Sequence, residues 1–96
     1  MQMKNPLHPG AAIAGILEEL GVTISAAARG LGVTRQQLHN VIAGRSDLTP
    51  EMAVKLEAAL GSTADNWLRM QANFSLADVR LRNVAANVKR FEPEAA

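Results

Sequence analysis

Apolar residues recur along this chain at the spacing of one face of an α-helix, and a glycine follows each of the first four runs. The first run begins after Pro9 and stops before Gly21, whereas the second begins after Thr23 and stops before Gly32. A threonine hydroxyl caps a helix N-terminus, and glycine adopts the left-handed conformation that often closes a helix. The pattern therefore predicts two short helices. Their inward-facing positions are Ile13, Ile16, Leu17 and Leu20 in the first helix and Ile24, Ala27, Ala28 and Leu31 in the second.

Three further helices are indicated by their start signals. Thr34 and Gln37 have the spacing of a capping box, and Gly44 follows their apolar run. Thr49-Pro50-Glu51 combines a cap with a proline at the first helical position, and Ser62-Thr63 caps the next helix. The inward-facing positions of these helices are Leu38, Val41 and Ile42, then Met52, Leu56 and Leu60, then Trp67, Leu68 and Met70.

The carboxy-terminal sequence predicts a sixth helix. Ser75 and Asp78 have the spacing of a second capping box, and apolar residues then recur to residue 91. Residues 92–96 have no periodicity and should fray. Because no strand pattern or internal repeat appears, we expect residues 1–96 to form one all-α domain, a five- to six-helix bundle. Its core bundle would span about residues 9–73, with a C-terminal helix over 75–91.

The second and third helices have the spacing of a helix-turn-helix. This motif needs a small residue where its two helices approach most closely and a residue tolerant of positive φ in the turn. Ala28 and Gly32 supply these two requirements at the right separation. The hydrophobic anchors on both sides of the turn are Leu31, Val33, Leu38 and Val41. The sequence from Ile24 to Val41 therefore predicts a DNA-binding motif whose second helix enters the major groove.

The predicted recognition helix carries polar side chains that can contact DNA. Gln36 lies in its first turn, where a side-chain amide can pair with N6 and N7 of adenine, and Arg35 can contact guanine or a phosphate. The predicted base-contacting residues are Arg35, Gln36, Gln37, His39 and Asn40. The predicted phosphate-contacting residues are Thr34, Arg45 and Arg29. The alternative is an ordinary surface helix whose polar residues are simply solvated.

The charge distribution favours the DNA-binding interpretation more than the net charge does. The net charge is only +1 at pH 7, but no acidic residue occurs between Leu20 and Ser46. The basic and imidazole side chains of that window are Arg29, Arg35, His39 and Arg45. A polyanion would therefore meet positive charge without acidic neighbours along the predicted motif.

The composition excludes several classes of chemistry. The chain has no cysteine, which excludes disulfides, thiolate zinc sites and cysteine nucleophiles. Its two histidines are His8 and His39, and no phosphate-loop or serine-elbow spacing occurs. We therefore expect no enzyme activity, metal or cofactor, and we interpret His8 beside Pro9 as a turn or capping residue. No apolar run is long enough for a signal peptide or a membrane span, which predicts a cytoplasmic protein without a membrane partner.

Four segments match a known family. They are His8-Pro9-Gly10, the motif from Thr23 to Gly44, the run from Leu48 to Ala53, and Trp67-Leu68 with Met70-Gln71. With these segments the chain resembles the HigA-type, or VapI-type, antitoxins of the XRE/Cro/repressor family. The resemblance implies a lambda-repressor-like fold and a dimeric repressor that binds a palindromic operator ahead of its own operon. It also implies a partner, a HigB-type toxin of the RelE-like class that cleaves messenger RNA.

The sequence departs from the family pattern at several places. Ile24 stands where many relatives have a phosphate-binding glutamine, and Ala27 replaces a usual leucine. The Lys-Arg pair that often follows the recognition helix is reduced to Arg45-Ser46, and the usual Tyr-Asp pair is Phe74-Ser75. Because the protein then has fewer basic side chains to contact the DNA phosphates, we expect a modest affinity for DNA.

A dimer is also expected on physical grounds, because one short recognition helix buries little surface against DNA. The candidate dimer interface is the carboxy-terminal face of Leu81, Val84, Val88 and Phe91. The alternative is that this face packs back on its own core. Two functional alternatives also stay open: a module that sequesters a toxin with little specific DNA binding, and a stand-alone regulator without a toxin.

Overall fold

The computed structural model describes residues 7–94, which form five α-helices and no strand. The helices are α1 (Pro9–Leu20), α2 (Ile24–Leu31), α3 (Arg35–Ile42), α4 (Pro50–Leu60) and α5 (Ala64–Leu81). The first four begin and end within two residues of the predicted positions. The expectation of an all-α bundle is therefore confirmed for this part of the chain.

Four of the five helices begin at a threonine whose hydroxyl oxygen accepts a hydrogen bond from a backbone N–H of the first turn. These N-caps are Thr23, Thr34, Thr49 and Thr63. In α1 the cap is His8, whose Nδ1 accepts from the Gly10 N–H at 2.9 Å. The capping role predicted for His8 is confirmed. Gly21 and Gly32 close α1 and α2 with φ values of 68° and 70°, a conformation that strains any residue with a side chain.

The predicted sixth helix is wrong, because α5 continues without a break through Ser75 and Asp78 to Leu81. Neither glycine nor proline interrupts the sequence before Ser75, so the capping signal competes with an intact helix. Asp78 forms an ion pair with Arg82 at 3.3 Å instead. The helix ends near Asn83, whose φ is 52°.

Beyond α5, residues 82–87 form turns and residues 88–94 have no regular structure. The predicted dimer-interface residues Val84, Val88 and Phe91 therefore do not lie on a helix. Of the predicted frayed tail, residues 92–94 lack helix, and Ala95 and Ala96 lie outside the described residues.

The core lies where α1, α2, α3, α4 and α5 meet, and it is almost entirely aliphatic. Its buried residues are Ile13, Leu17, Ala28, Leu31, Leu38, Val41, Leu48, Met52, Ala53, Leu56 and Trp67. Leu20, predicted to face inward, is 61% exposed because it is the last residue of α1. Among residues 7–94, no single helix is long and apolar enough to cross a membrane; α1 and α2 reach that length and composition only as a pair bent by 108°.

Candidate nucleic-acid interface

The helix-turn-helix geometry is built from α2, the turn at Gly32 and α3. The N–H of Val33 donates to the Ala28 carbonyl at 3.0 Å, and the N–H of Gly32 donates to the Arg29 carbonyl at 3.2 Å. These bonds close α2 just before α3 begins. Ala28 is 2% exposed, as expected for the small residue at the closest approach of the two helices. Leu38 and Val41 anchor the inner face of α3 in the core.

Gly10 of α1 fixes the other end of α3. A Cβ atom added to Gly10 would lie 2.7 Å from the Ile42 carbonyl oxygen and 2.8 Å from the Ile42 Cα. Both neighbours are backbone atoms, which cannot move aside as a flexible side chain can. The sequence indicated Gly10 only as part of a helix start and a family motif, so its role in placing the recognition helix was missed. Only the tertiary packing reveals it.

The outer face of α3 carries all five predicted base-contacting residues. Arg35, Gln36 and Gln37 are exposed, whereas His39 and Asn40 are half-buried. The structure joins two of them, because the Gln36 Nε2 donates to the Asn40 Oδ1 at 2.9 Å. This bond runs between residues four positions apart, which are neighbours on a helix surface. It holds both amides in a defined orientation on the solvent side of α3.

Gln37 has a second role that its neighbours lack. Its Oε1 accepts from the Thr34 N–H at 2.8 Å, and the Thr34 Oγ1 accepts from the Gln37 N–H at 3.0 Å. The predicted capping box is therefore confirmed. The carbonyl oxygen of Gln37 is committed to the helix start, so only its amide nitrogen is left for another partner.

The three predicted phosphate-contacting residues lie at the ends of the motif helices. Thr34 caps α3, Arg29 lies in the last turn of α2, and Arg45 follows the end of α3. All three are exposed. The ion pairs among residues 7–94 are Lys55–Glu51 and Arg82–Asp78, so no acidic side chain in this part of the chain pairs with Arg29, Arg35 or Arg45.

The remaining titratable and apolar candidates are not on α3 itself. His8 packs edge-to-face on Phe74 with ring centroids 5.0 Å apart. Within the described part of the chain, no group of three or more His, Cys, Asp or Glu residues could hold a metal ion. The predicted dimer-interface residues all face solvent, with exposed fractions of 76%, 62%, 71% and 97% for Leu81, Val84, Val88 and Phe91.

Comparison with known proteins gives a family match and several similar sequences. The helix-turn-helix family model matches residues 13–68. Virulence-associated protein A' of Dichelobacter nodosus is 42% identical over 79 residues, which cover 81% of this chain and 69% of the relative. The uncharacterized helix-turn-helix transcriptional regulator YddM of Escherichia coli strain K12 is 37% identical over 91 residues, which cover 95% of this chain and 97% of the relative. Antitoxin HigA-1 of Vibrio cholerae serotype O1 is 44% identical over 66 residues, which cover 69% of this chain and 62% of the relative.

Solved structures of antitoxins superpose on most of the chain. Antitoxin GraA matches with a TM-score of 0.84 and 29% identity, covering 94% of this chain and all of that one. GraA in complex with its operator matches with a TM-score of 0.81 and 27% identity, covering 97% and 98%. Pseudomonas aeruginosa antitoxin HigA with the higBA promoter also has a TM-score of 0.81, with 26% identity, covering 93% and 98%. These matches confirm the lambda-repressor-like fold and the similarity to HigA antitoxins that the sequence motifs indicated.

Proposed function

The chain belongs to the helix-turn-helix family, and from this membership we propose that it is a repressor and antitoxin of the HigA type that binds operator DNA through α3. The observation that carries the proposal is the outer face of α3, where Arg35 and Gln36 are exposed, Asn40 is half-buried, and no acidic side chain among residues 7–94 pairs with Arg35. Two antitoxins that share this fold support it, GraA in complex with its operator and Pseudomonas aeruginosa HigA with the higBA promoter. A protein with this function works in the cytoplasm, where operator DNA is.

Gln36 and Asn40 read bases as a pair. Because the Gln36 Nε2 uses one hydrogen to bind the Asn40 Oδ1 at 2.9 Å, its other hydrogen and its Oε1 are left for N7 and N6 of an adenine. The Asn40 amide nitrogen is left for a neighbouring base. Arg35 contacts a guanine or a phosphate at the start of α3, His39 contacts the DNA backbone or a thymine methyl, and Gln37 contributes its amide nitrogen.

Phosphate contacts from Thr34, Arg29 and Arg45 fix the orientation of α3 in the groove. The Thr34 hydroxyl accepts a bond within the cap, but its hydrogen is left to donate to a phosphate oxygen. Arg29 lies in the last turn of α2 and Arg45 follows the end of α3, and both supply charge without base specificity. With so few basic groups, the salt dependence of binding is smaller than that of strongly basic repressors.

The protein acts as a dimer on a palindromic operator. An eight-residue α3 buries little surface alone, and two-fold pairing places a second copy of it on the next half-site. The exposed apolar side chains of residues 81–91 support this proposal, because Phe91 is 97% exposed and an isolated aromatic ring in water gains from burial. The interface residues are Leu81, Val84, Val88 and Phe91, as the sequence indicated.

Neutralising a HigB-like toxin is the second part of the proposed function. The similarity to antitoxin HigA-1 supports it, and α3 leaves most of the molecular surface available for a protein partner. Co-expression with the neighbouring open reading frame tests this part. We expect the full chain to restore growth that the toxin arrests. Growth that stays arrested would contradict the antitoxin role and leave a regulator that acts without a toxin.

Operator binding is tested by fluorescence anisotropy on the DNA upstream of the protein's own gene, with a scrambled duplex of equal length as the control. We expect a preference of about 10³-fold or more for the upstream DNA, with affinity falling as salt rises. Weak binding that is equal on both duplexes would contradict the repressor function. It would favour instead a module that mainly sequesters a toxin.

A further inference from the structure

Gln71 on α5 is the one buried polar side chain among the described residues, at 7% exposure. It belongs to the Met70-Gln71 segment that matches the antitoxin family, yet it lies on a different helix from the proposed DNA contacts. Burying an amide is unfavourable unless its hydrogen-bonding atoms find partners. Its partners therefore indicate what the residue does.

The Gln71 amide bonds to the segment that follows the recognition helix. Its Oε1 accepts from the Leu48 N–H at 2.8 Å, and its Nε2 donates to the Asp47 Oδ1 at 3.3 Å. The other hydrogen of Nε2 goes to the Ser75 Oγ, one helical turn farther along α5, at 3.0 Å. Both amide hydrogens and the carbonyl oxygen are thus satisfied. Two of the three bonds cross from α5 to residues 23 and 24 positions earlier in the chain.

The segment held by Gln71 is the one that carries Arg45. At its start, the N–H groups of Arg45 and Ser46 donate to the Asn40 carbonyl at 2.9 and 3.2 Å. At its end, the Leu48 side chain is buried at 3% exposure, and its N–H is the group bound by Gln71. Arg45 therefore lies on a short loop that is fixed to α3 on one side and to α5 on the other.

We propose that Gln71 is a positioning residue for DNA binding, which holds the loop of residues 45–48 so that Arg45 stays beside the end of α3. This inference rests on the proposed operator binding. If the loop were not held, DNA binding would have to order it, and that loss of conformational entropy would weaken the phosphate contact. The affinity for specific and non-specific DNA would fall alike, because Arg45 contributes charge without reading bases.

The main test is a double-mutant cycle between Gln71 and Arg45. Gln71→Met keeps an unbranched side chain of similar length but removes every hydrogen bond to the loop. We expect it to weaken binding to operator and scrambled DNA by about three- to tenfold each, the range that one hydrogen bond corresponds to. In the Gln71→Met background, Arg45→Ala should then have a smaller effect than it has in the natural chain. Ser75→Ala is the matched control, because it removes one Gln71 bond within α5 and leaves both loop bonds in place.

A positioning role predicts this coupling, whereas a residue needed only for stability does not. If the fold-losses of DNA affinity from Gln71→Met and Arg45→Ala simply multiply in the double variant, the proposal is overturned. Circular dichroism must show that each variant is folded at the temperature used. A natural chain that binds neither duplex would instead overturn the proposed function, so the two failures are distinguishable.

Asp47 supplies a second test that leaves the core intact, because this residue is exposed. Asp47→Asn and Asp47→Ala remove the same charge near the DNA, but only Asp47→Asn keeps an oxygen that can accept from the Gln71 Nε2. We expect Asp47→Ala to bind both duplexes about twofold more weakly than Asp47→Asn. Equal affinities for the two variants would contradict the role of this bond in placing the loop.

Discussion

At the scale of single residues, the proposed interface divides its work between side chains that read bases and side chains that hold phosphates. Gln36 belongs to the first group and Arg45 to the second, although both are exposed and lie within ten residues of each other. The difference lies in their partners. Gln36 is oriented by its bond to Asn40, whereas the Arg45 guanidinium has no acidic partner among residues 7–94.

Gln36→Ala should reduce sequence discrimination. The substitution removes the bidentate amide. We expect the difference in binding free energy between operator and scrambled DNA to shrink by about 1–3 kcal/mol. Anisotropy titrations of both duplexes give the two affinities and hence this difference. An equal loss of affinity on the two duplexes would refute base reading by Gln36.

Arg45→Ala is the counterpart for phosphate contacts. We expect it to weaken binding to operator and scrambled DNA alike. The slope of log affinity against log salt concentration should become shallower by about one. Titrations at several salt concentrations give the slope. A loss confined to the operator would mean that Arg45 contacts a base rather than a phosphate.

At the scale of helices, the placement of α3 depends on α1 as well as α2. Gly10→Ala should force α1 and the end of α3 apart, because the new methyl group meets the backbone of Ile42 at 2.7 and 2.8 Å. We expect a loss of about 1–3 kcal/mol in the free energy of unfolding, together with weaker operator binding. Denaturant unfolding and anisotropy measure these two effects.

Gly15→Ala is the matched control on the same helix, since a Cβ at Gly15 would meet nothing within 4 Å. This variant should be as stable as the natural chain or more stable by about 0.5–1 kcal/mol, because alanine favours a helix over glycine. If both alanine variants behaved alike, the contact between Gly10 and α3 would not be what places the recognition helix.

The helix starts could be predicted from the sequence because a cap depends on residues three positions apart. Thr34 with Gln37 is the clearest case, and both of its hydrogen bonds are present. The predicted start at Ser75 failed because a local signal does not say whether the preceding helix has ended. Gly10 and Gln71 could not be assigned at all, since the Gly10 contact and the two loop bonds of Gln71 link residues more than twenty positions apart. The predicted base and phosphate contacts stay predictions.

At the scale of the whole molecule, the described chain is elongated, with extents of 63 × 29 × 25 Å. Residues 82–94 are all exposed, and four large apolar side chains lie between Leu81 and Phe91. A second copy that covers these side chains removes apolar surface from water, which favours association. The exposed segment therefore supports the proposed dimer although it forms no sixth helix.

Substitution in this segment should convert the proposed dimer to a monomer. We expect Val88→Asp combined with Phe91→Asp to halve the mass measured by sedimentation equilibrium, because two buried charges oppose association. Val54→Asp is the control, since Val54 is 58% exposed and belongs to α4 rather than to the segment. A doubly substituted chain that stayed dimeric, or a natural chain that was already monomeric, would refute this interface.

The central claim is that α3 is the surface that meets operator DNA. The most direct measurement is a ¹⁵N–¹H NMR titration of the full chain with the operator duplex, which follows the amide signal of each residue. We expect the largest shifts at residues 34–46, with smaller ones at Arg29. Shifts concentrated on α4 or on residues 76–91, with α3 unchanged, would contradict the claim.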